Sequence, residues 1–518
     1  MKSALKKTLG IMLAAIILGT MIVGCASQTK APEPSTSSSG NAALKRLVFS
    51  RGEDVLTFDN FTSNLQADFI MVHAICDPLI WQAPDGSFTP YLCTKWEVNE
   101  NSTEWTFYLR DGVKFSNGKP LTAKDVKATF EYPAKNNLLY SGSFRGLEVQ
   151  IINDLTVKLI FDEPNGAFST FAYLFPIFSE EVLAMGPDEV AKNPIGSGPY
   201  KLKEWNPTKN VILERNPNFW GDAPYYDEIE YAIIVEDSTR LAALQTGEID
   251  IADGIPADMY DAVNNNPNLE LLPIPACNYM WLGLACDKPP FNDKKAREAL
   301  SLCLDRQVFI DMMGGGMIST GILPSLAYGD ATLPPLSYDP ARAKQLLEES
   351  SYNGEQVSFL SFTGVFPKSQ EQLEAVAAMM AAVGFNVNLE IFTQSTFMER
   401  RSAELYHLFW TGTAMFGLDP DILLTARILN NSQHFNYTGP KADELNNYIN
   451  KGREPATYEG RKEAYKDVLR VANEEFAPII PMYETVNVYA CNSSIDLSNM
   501  DVVFRGDLII PLRNLRGK

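Results

Sequence analysis

Between Leu408 and Asp421 the chain reads LFWTGTAMFGLDPD, setting Trp410, Met415 and Phe416 beside the small residues Thr411, Gly412 and Thr413, and ending in Asp419-Pro420. Large apolar side chains next to a few polar ones suit a pocket for a small molecule, with walls that exclude water and a few atoms that orient the ligand. Catalytic sets are harder to find. A serine hydrolase needs a nucleophile, a base and an orienting group, yet no G-x-S-x-G elbow is present, Gly196-Ser197-Gly198 being the nearest. There is no H-E-x-x-H for a zinc peptidase. No G-x-x-x-x-G-K-[ST] phosphate loop occurs either, and the glycines at 196 and 198 lead into a strand rather than a helix. Paired carboxylates abound, so a glycosidase geometry stays open by counting alone, and a secreted hydrolase is the alternative from another class. The three histidines, His73, His407 and His434, show no metal-ligand spacing, and no metal or cofactor is expected.

The chain that must position these residues has 518 of them, too many for one core, so two or three domains are expected. With 45% hydrophobic and 21% charged residues it has the make-up of a globular protein. The net charge of −20 argues against nucleic acid as a partner, because phosphate binding needs a basic face. It also leaves the body repelled by anionic lipid, so membrane attachment needs an anchor. Besides Cys25 there are six cysteines, Cys76, Cys93, Cys277, Cys286, Cys303 and Cys491, with no C-x-x-C pair; an exported chain can carry them paired or free.

The N-terminal segment reads as an address. Lys2, Lys6 and Lys7 precede a nearly apolar run from Leu9 to Gly24, short for a membrane span and placed as a signal peptide is. The run ends in Ile22-Val23-Gly24-Cys25, which resembles the bacterial lipobox. That resemblance implies cleavage after residue 24 and lipidation of Cys25. Stable anchoring takes more than one acyl chain, which the diacylglyceryl group of such proteins supplies. Residues 25–44 come next as a Ser-, Thr-, Pro- and Ala-rich flexible tether.

Local patterns are clear in the body. Trp105, Phe107 and Leu109 alternate with polar residues as in a half-buried strand, and Asp111-Gly112 and Asn117-Gly118 mark turns. Thr122 with Asp125 predicts a capping box for a helix that Pro133 should stop. Asp339-Pro340 predicts a helix start, and Gly314–Gly316 a helix end. Ser369 with Gln372 predicts a second capping box, for a helix ending at Gly384 before the alternating strand Phe385–Ile391.

Lys95-Trp96-Glu97 followed by LRDGVKFSNGKPLTAKDV, then IGSGPYKLKEW, NPNFW and GEID in order, resembles the family 5 extracellular solute-binding proteins, the peptide and nickel-chelate receptors of ABC importers. The resemblance covers about Leu47 to Leu512. It implies an α/β fold of the two-lobed periplasmic-binding-protein type (class II, cluster C), with an extra β-rich subdomain in the N-terminal lobe. The implied division is a lobe I core of 45–75, 194–279 and 488–518, a lobe I subdomain of 76–193, and lobe II of 280–487. Tyr279–Leu284 and Val486–Ala490 would be the two hinge crossings. The function implied is capture of a small solute, most simply a peptide, between the lobes of a monomer. Delivery would be to ABC permease subunits, from a lipid-anchored position on the outer face of the membrane or in the periplasm. A nickel chelate or an oligosaccharide is the alternative ligand.

The resemblance also ranks residues. It places Trp410, Thr413, Met415, Phe416 and Asp419 at the cleft, with Tyr279, Trp281 and Tyr483 on the hinge strands and Asn60 and Phe61 in the loop after the first strand. Peptide-binding members carry an Asp three residues after the Trp, holding the ligand's α-amine. Here that position is Thr413, whose neutral hydroxyl cannot make the charge-assisted bond an ammonium prefers. Asp419 is a candidate replacement, although Asp-Pro at this point also starts a helix. Nickel receptors can use a histidine near the chelate, which makes His434 a candidate, against the ordinary reading of a satisfied or exposed side chain.

Overall fold

The computed structural model describes residues 44–518, apart from 64, 84–85, 145, 326–327, 330–332, 363–367, 415–418, 425–436, 438 and 497–511. The signal segment, Cys25, Met415, Phe416 and His434 therefore lie outside the described residues.

One eleven-stranded sheet organises the body. Its order runs Asn386–Phe392, Gln356–Phe362, Leu408–Ala414, Leu269–Leu284, Ile479–Asn492, Ile251–Asp253, Arg46–Arg51, Glu228–Ile233, Asn210–Arg215 and Tyr200–Asn206, with Met317–Ile318 pairing onto Ile479–Asn492. The two long members, Leu269–Leu284 and Ile479–Asn492, lie antiparallel at its middle. Apart from a further shift between Met280 and Trp281, their register is continuous from Leu269↔Asn492 to Pro275↔Val486, breaks, and resumes at Tyr279↔Glu484. That break coincides with a change of core. From Tyr279 to Tyr483 the buried apolar residues form one cluster. Those from Leu47 to Tyr231, joined by Ile251, Tyr489, Cys491, Ile495, Leu512 and Leu515, form another. A small third cluster packs Val488 and Ala490 under the helix Asp237–Thr246. The two crossing strands thus carry the chain between two cores.

The first core extends without a gap into residues 76–193, where a four-stranded antiparallel sheet (Cys93–Val98, Glu104–Leu109, Thr156–Ile160, Glu148–Asn153) packs on the helix Ala123–Lys135. Trp105, Phe107 and Leu109 point inward and their neighbours outward, as period-2 spacing requires. Asn117-Gly118 closes a tight turn with Gly118 at φ 83°, a value glycine adopts without a Cβ penalty. Thr122 and Asp125 form the expected capping box, Asp339 caps a helix with Pro340 at its first position, and Gly314 and Gly384 end theirs in the left-handed conformation.

Two local expectations fail. Pro133 lies inside its helix, which runs on to Lys135, where the side-chain amide of Asn136 donates to Tyr132 O at 3.0 Å. No capping box forms at Ser369: Gln372 turns into the core, where Tyr483 Oη donates to its Oε1 at 2.6 Å. Tertiary packing claims the side chain that sequence spacing assigns to the backbone. Cys76, Cys93, Cys286, Cys303 and Cys491 are free, buried thiols.

Candidate ligand-binding site

The Leu408–Ala414 strand pairs with Leu269–Leu284 without a register shift, so each cross-strand pair shares a face. Trp410 lies opposite Leu282, and Tyr483 opposite Met280. Both rings pack on Phe309, at centroid distances of 5.6 and 6.1 Å, under the helix Arg306–Met313. Trp281 is turned to the other face, edge-on to Phe409 at 5.7 Å. Tyr279, two residues away, shares that face and donates from Oη to Ile322 O at 2.8 Å. Trp410, Tyr483, Trp281 and Tyr279 are all buried, and the pleat divides them between opposite sides of one sheet. They fix the strand between two packed layers. The backbone of Thr413 pairs with Tyr279 in the same register.

Asp419 is held by contacts from both cores. One carboxylate oxygen accepts from Arg461 Nη2 at 2.6 Å and from the Asp421 backbone N–H at 2.8 Å, which starts the short helix at Asp421. The other accepts from Thr170 Oγ1, on the first core, at 3.1 Å. Burial pushes the Asp419 carboxyl up, and the Arg461 guanidinium opposes that. Thr170 belongs to a broader seam. Gly166 N–H donates to Arg453 O at 2.7 Å, and Ser102 Oγ to Glu454 O at 2.5 Å. A Cβ on Gly166 would sit 1.9 Å from Pro455 O, so this backbone approach needs glycine. The two cores therefore touch directly, away from the strands that join them.

Asn60 and Phe61 lie inside the first core. Asn60 Nδ2 donates to Leu174 O at 3.0 Å, and Phe61 stacks on Phe175 at 4.5 Å. His73 is buried in the same core, with Nε2 at 3.0 Å from Leu174 O, and burial lowers it to about 3, so it is a neutral core side chain. His407 Nδ1 accepts from Ser358 N–H at 2.9 Å.

Two features escape sequence reasoning. Arg51 and Asp253, at the carboxyl ends of the parallel strands Arg46–Arg51 and Ile251–Asp253, approach to 3.1 Å. Strand ends of parallel sheets are where ligands gather, and that rule, applied to the first strand, points to Arg51. The other is Glu484, buried opposite Tyr279 on the second crossing strand, with both oxygens bonded to Ser325. Nothing local in PMYETV distinguishes it.

Residues 87–433 match the family model for bacterial extracellular solute-binding proteins, family 5 (middle). The glutathione-binding protein GsiB of Salmonella paratyphi A is 27% identical over 356 residues, covering 67% of this chain and 69% of that protein. The nickel-binding periplasmic protein of Escherichia coli is 26% identical over 437 residues, covering 77% and 82%. Among solved structures, the ABC transporter substrate-binding protein CtaP of Listeria monocytogenes superposes with a TM-score of 0.80 at 21% identity, covering 92% of this chain and 99% of that one.

Proposed function

Because this chain belongs to the family 5 bacterial extracellular solute-binding proteins, we propose that it captures a peptide or similar small nitrogenous solute between its two cores and delivers it to the permease of an ABC importer. The observation that carries this reading is the pair of crossing strands, whose register breaks where one core gives way to the other. A joint of that kind lets two bodies close on a ligand that touches both, and the ligand then shifts the opening equilibrium. The seam from Gly166 to Arg453 and from Thr170 to Asp419 is the contact that closure makes.

By residue type Thr413, Met415 and Phe416 are the candidates to meet the ligand, while Trp410, Tyr279, Trp281 and Tyr483 hold the Leu408–Ala414 strand in place. Two relatives are named for binding glutathione and nickel. The peptide class is favoured here because glutathione is itself a peptide. We further propose that residues 1–24 are a signal peptide, that Cys25 carries the lipid, and that the monomer works tethered outside the cytoplasm.

Native mass spectrometry of the gently purified mature chain tests this. The expected spectrum contains a bound species of a few hundred daltons, released on unfolding, whose fragments are amino acids. A retained metal chelate or sugar would overturn the peptide assignment, and cleavage of added peptides or glycosides would overturn the binding role.

A further inference from the structure

From Tyr279 onward, four acidic side chains are buried among the described residues: Asp419, Asp421, Glu475 and Glu484. Three have a guanidinium partner, Arg461 at 2.6 Å, Arg453 at 3.1 Å and Arg297 at 3.6 Å respectively. Glu484 differs. Its side chain is 2% exposed and accepts two hydrogen bonds, from the backbone N–H of Ser325 at 3.0 Å and from its hydroxyl at 2.9 Å. No cation among the described residues pairs with it. Buried carboxylates without a cation also occur in the first core, but there each organises its local chain. Asp68 holds Leu56 N–H, Thr57 N–H and Ser63 Oγ, and Asp125 closes a capping box. Among the described residues Glu484 reaches only Ser325, on a loop that Tyr279 already pins through Ile322.

A buried carboxylate held by two neutral donors keeps unused acceptor capacity and a large desolvation cost. Its position says what can offset that cost. Glu484 forms the last pair before the register break, opposite Tyr279, with Met317 paired on its other edge; beyond the break, Val486 pairs with Pro275. The carboxylate thus stands where the chain passes from one core to the other, level with Thr413 two strands away. Under the proposed function this is the level at which an enclosed solute meets the crossing strands.

We infer that Glu484 is the counter-charge for an ammonium group of the bound solute, supplying from the second crossing strand the negative charge that Thr413 lacks. The inference rests on the proposed reading that the solute is held between the two cores. It makes a free amine a requirement of the ligand, because a charge-assisted bond is roughly twice as strong as a neutral one and a buried carboxylate left unpaired is costly.

Calorimetric titration of the mature chain with trialanine, N-acetyl-trialanine and cadaverine tests it. Wild type should bind trialanine at least about tenfold more tightly than its acetylated form, a factor equal to about 1.4 kcal/mol. Glu484→Gln should bring the two affinities within about threefold while its melting temperature stays close to that of wild type. Equal wild-type affinities for the two peptides would overturn the inference and leave the peptide reading standing. Binding of cadaverine but neither peptide, lost in Glu484→Gln, would uphold the counter-charge and overturn the peptide reading. Binding of none of the three would overturn both. Should the Gln variant fail to fold, equal wild-type affinities for the two peptides still overturn the inference, since acetylation removes the charge from the ligand's side.

Discussion

Asp419 and Arg461 face each other at 2.6 Å inside the second core, and the carboxylate oxygen not facing Arg461 accepts a hydrogen bond from Thr170 of the first. One buried ion pair therefore serves both the stability of one body and its contact with the other. Asp419→Ala leaves the Arg461 guanidinium buried without its counter-charge, a loss of about 3–5 kcal/mol. The urea midpoint should fall accordingly. Thr170→Val removes only the bond across the seam, worth about 1 kcal/mol. It should weaken solute affinity about fivefold while moving the urea midpoint little.

Gly166 is the tightest point of that seam. Gly166→Ala places a Cβ at 1.9 Å from Pro455 O, and this neighbour is backbone that cannot swing aside. The two bodies must separate there. The radius of gyration from small-angle scattering with saturating solute should exceed that of wild type, and affinity should drop at least tenfold.

Trp410 is predicted to act through packing. It is 1% exposed and sits on Phe309, so Trp410→Ala opens a cavity costing about 3–5 kcal/mol. Guanidinium unfolding measures the loss, and Trp410→Phe should recover much of it together with solute binding.

Asp59 gives the fold a pH dependence. Its carboxyl accepts from Phe61 N–H at 3.0 Å and Tyr132 Oη at 2.8 Å, yet burial outweighs both and raises it to about 6. A raised carboxyl favours the protonated folded state, so its contribution is present in full below about pH 4 and is lost as pH rises through about 6. Asp59→Asn should match wild type at pH 4 and exceed it by about 2–3 kcal/mol at pH 8 in urea denaturation.

How much of this is legible in the sequence depends on how far apart the partners lie. The Trp105–Leu109 alternation, the Thr122–Asp125 box, Asp339-Pro340 and the glycine stops at 314 and 384 are decided within one turn or one strand, and they read directly. Gln372 misleads because its partner, Tyr483, is 111 residues away. The candidate site has the same difficulty. Residue type and resemblance group Trp410, Tyr279, Trp281 and Tyr483, but which face each one takes is set by the register of three strands far apart in sequence. Arg461 lies 42 residues from Asp419, and Glu484 gains its meaning only from its place opposite Tyr279 at the register break.

The most direct test of solute capture between the two cores is a thermal-shift screen of residues 25–518 against di- to pentapeptides, metal chelates and oligosaccharides. A ligand at 100 times its dissociation constant stabilises the folded state by about 2.7 kcal/mol. At least one short peptide with a free amine should raise the melting temperature in proportion to the logarithm of its concentration, and the Gly166→Ala chain should show a smaller rise. A chain that no peptide stabilises, but that a chelate or a sugar does, would contradict the assignment.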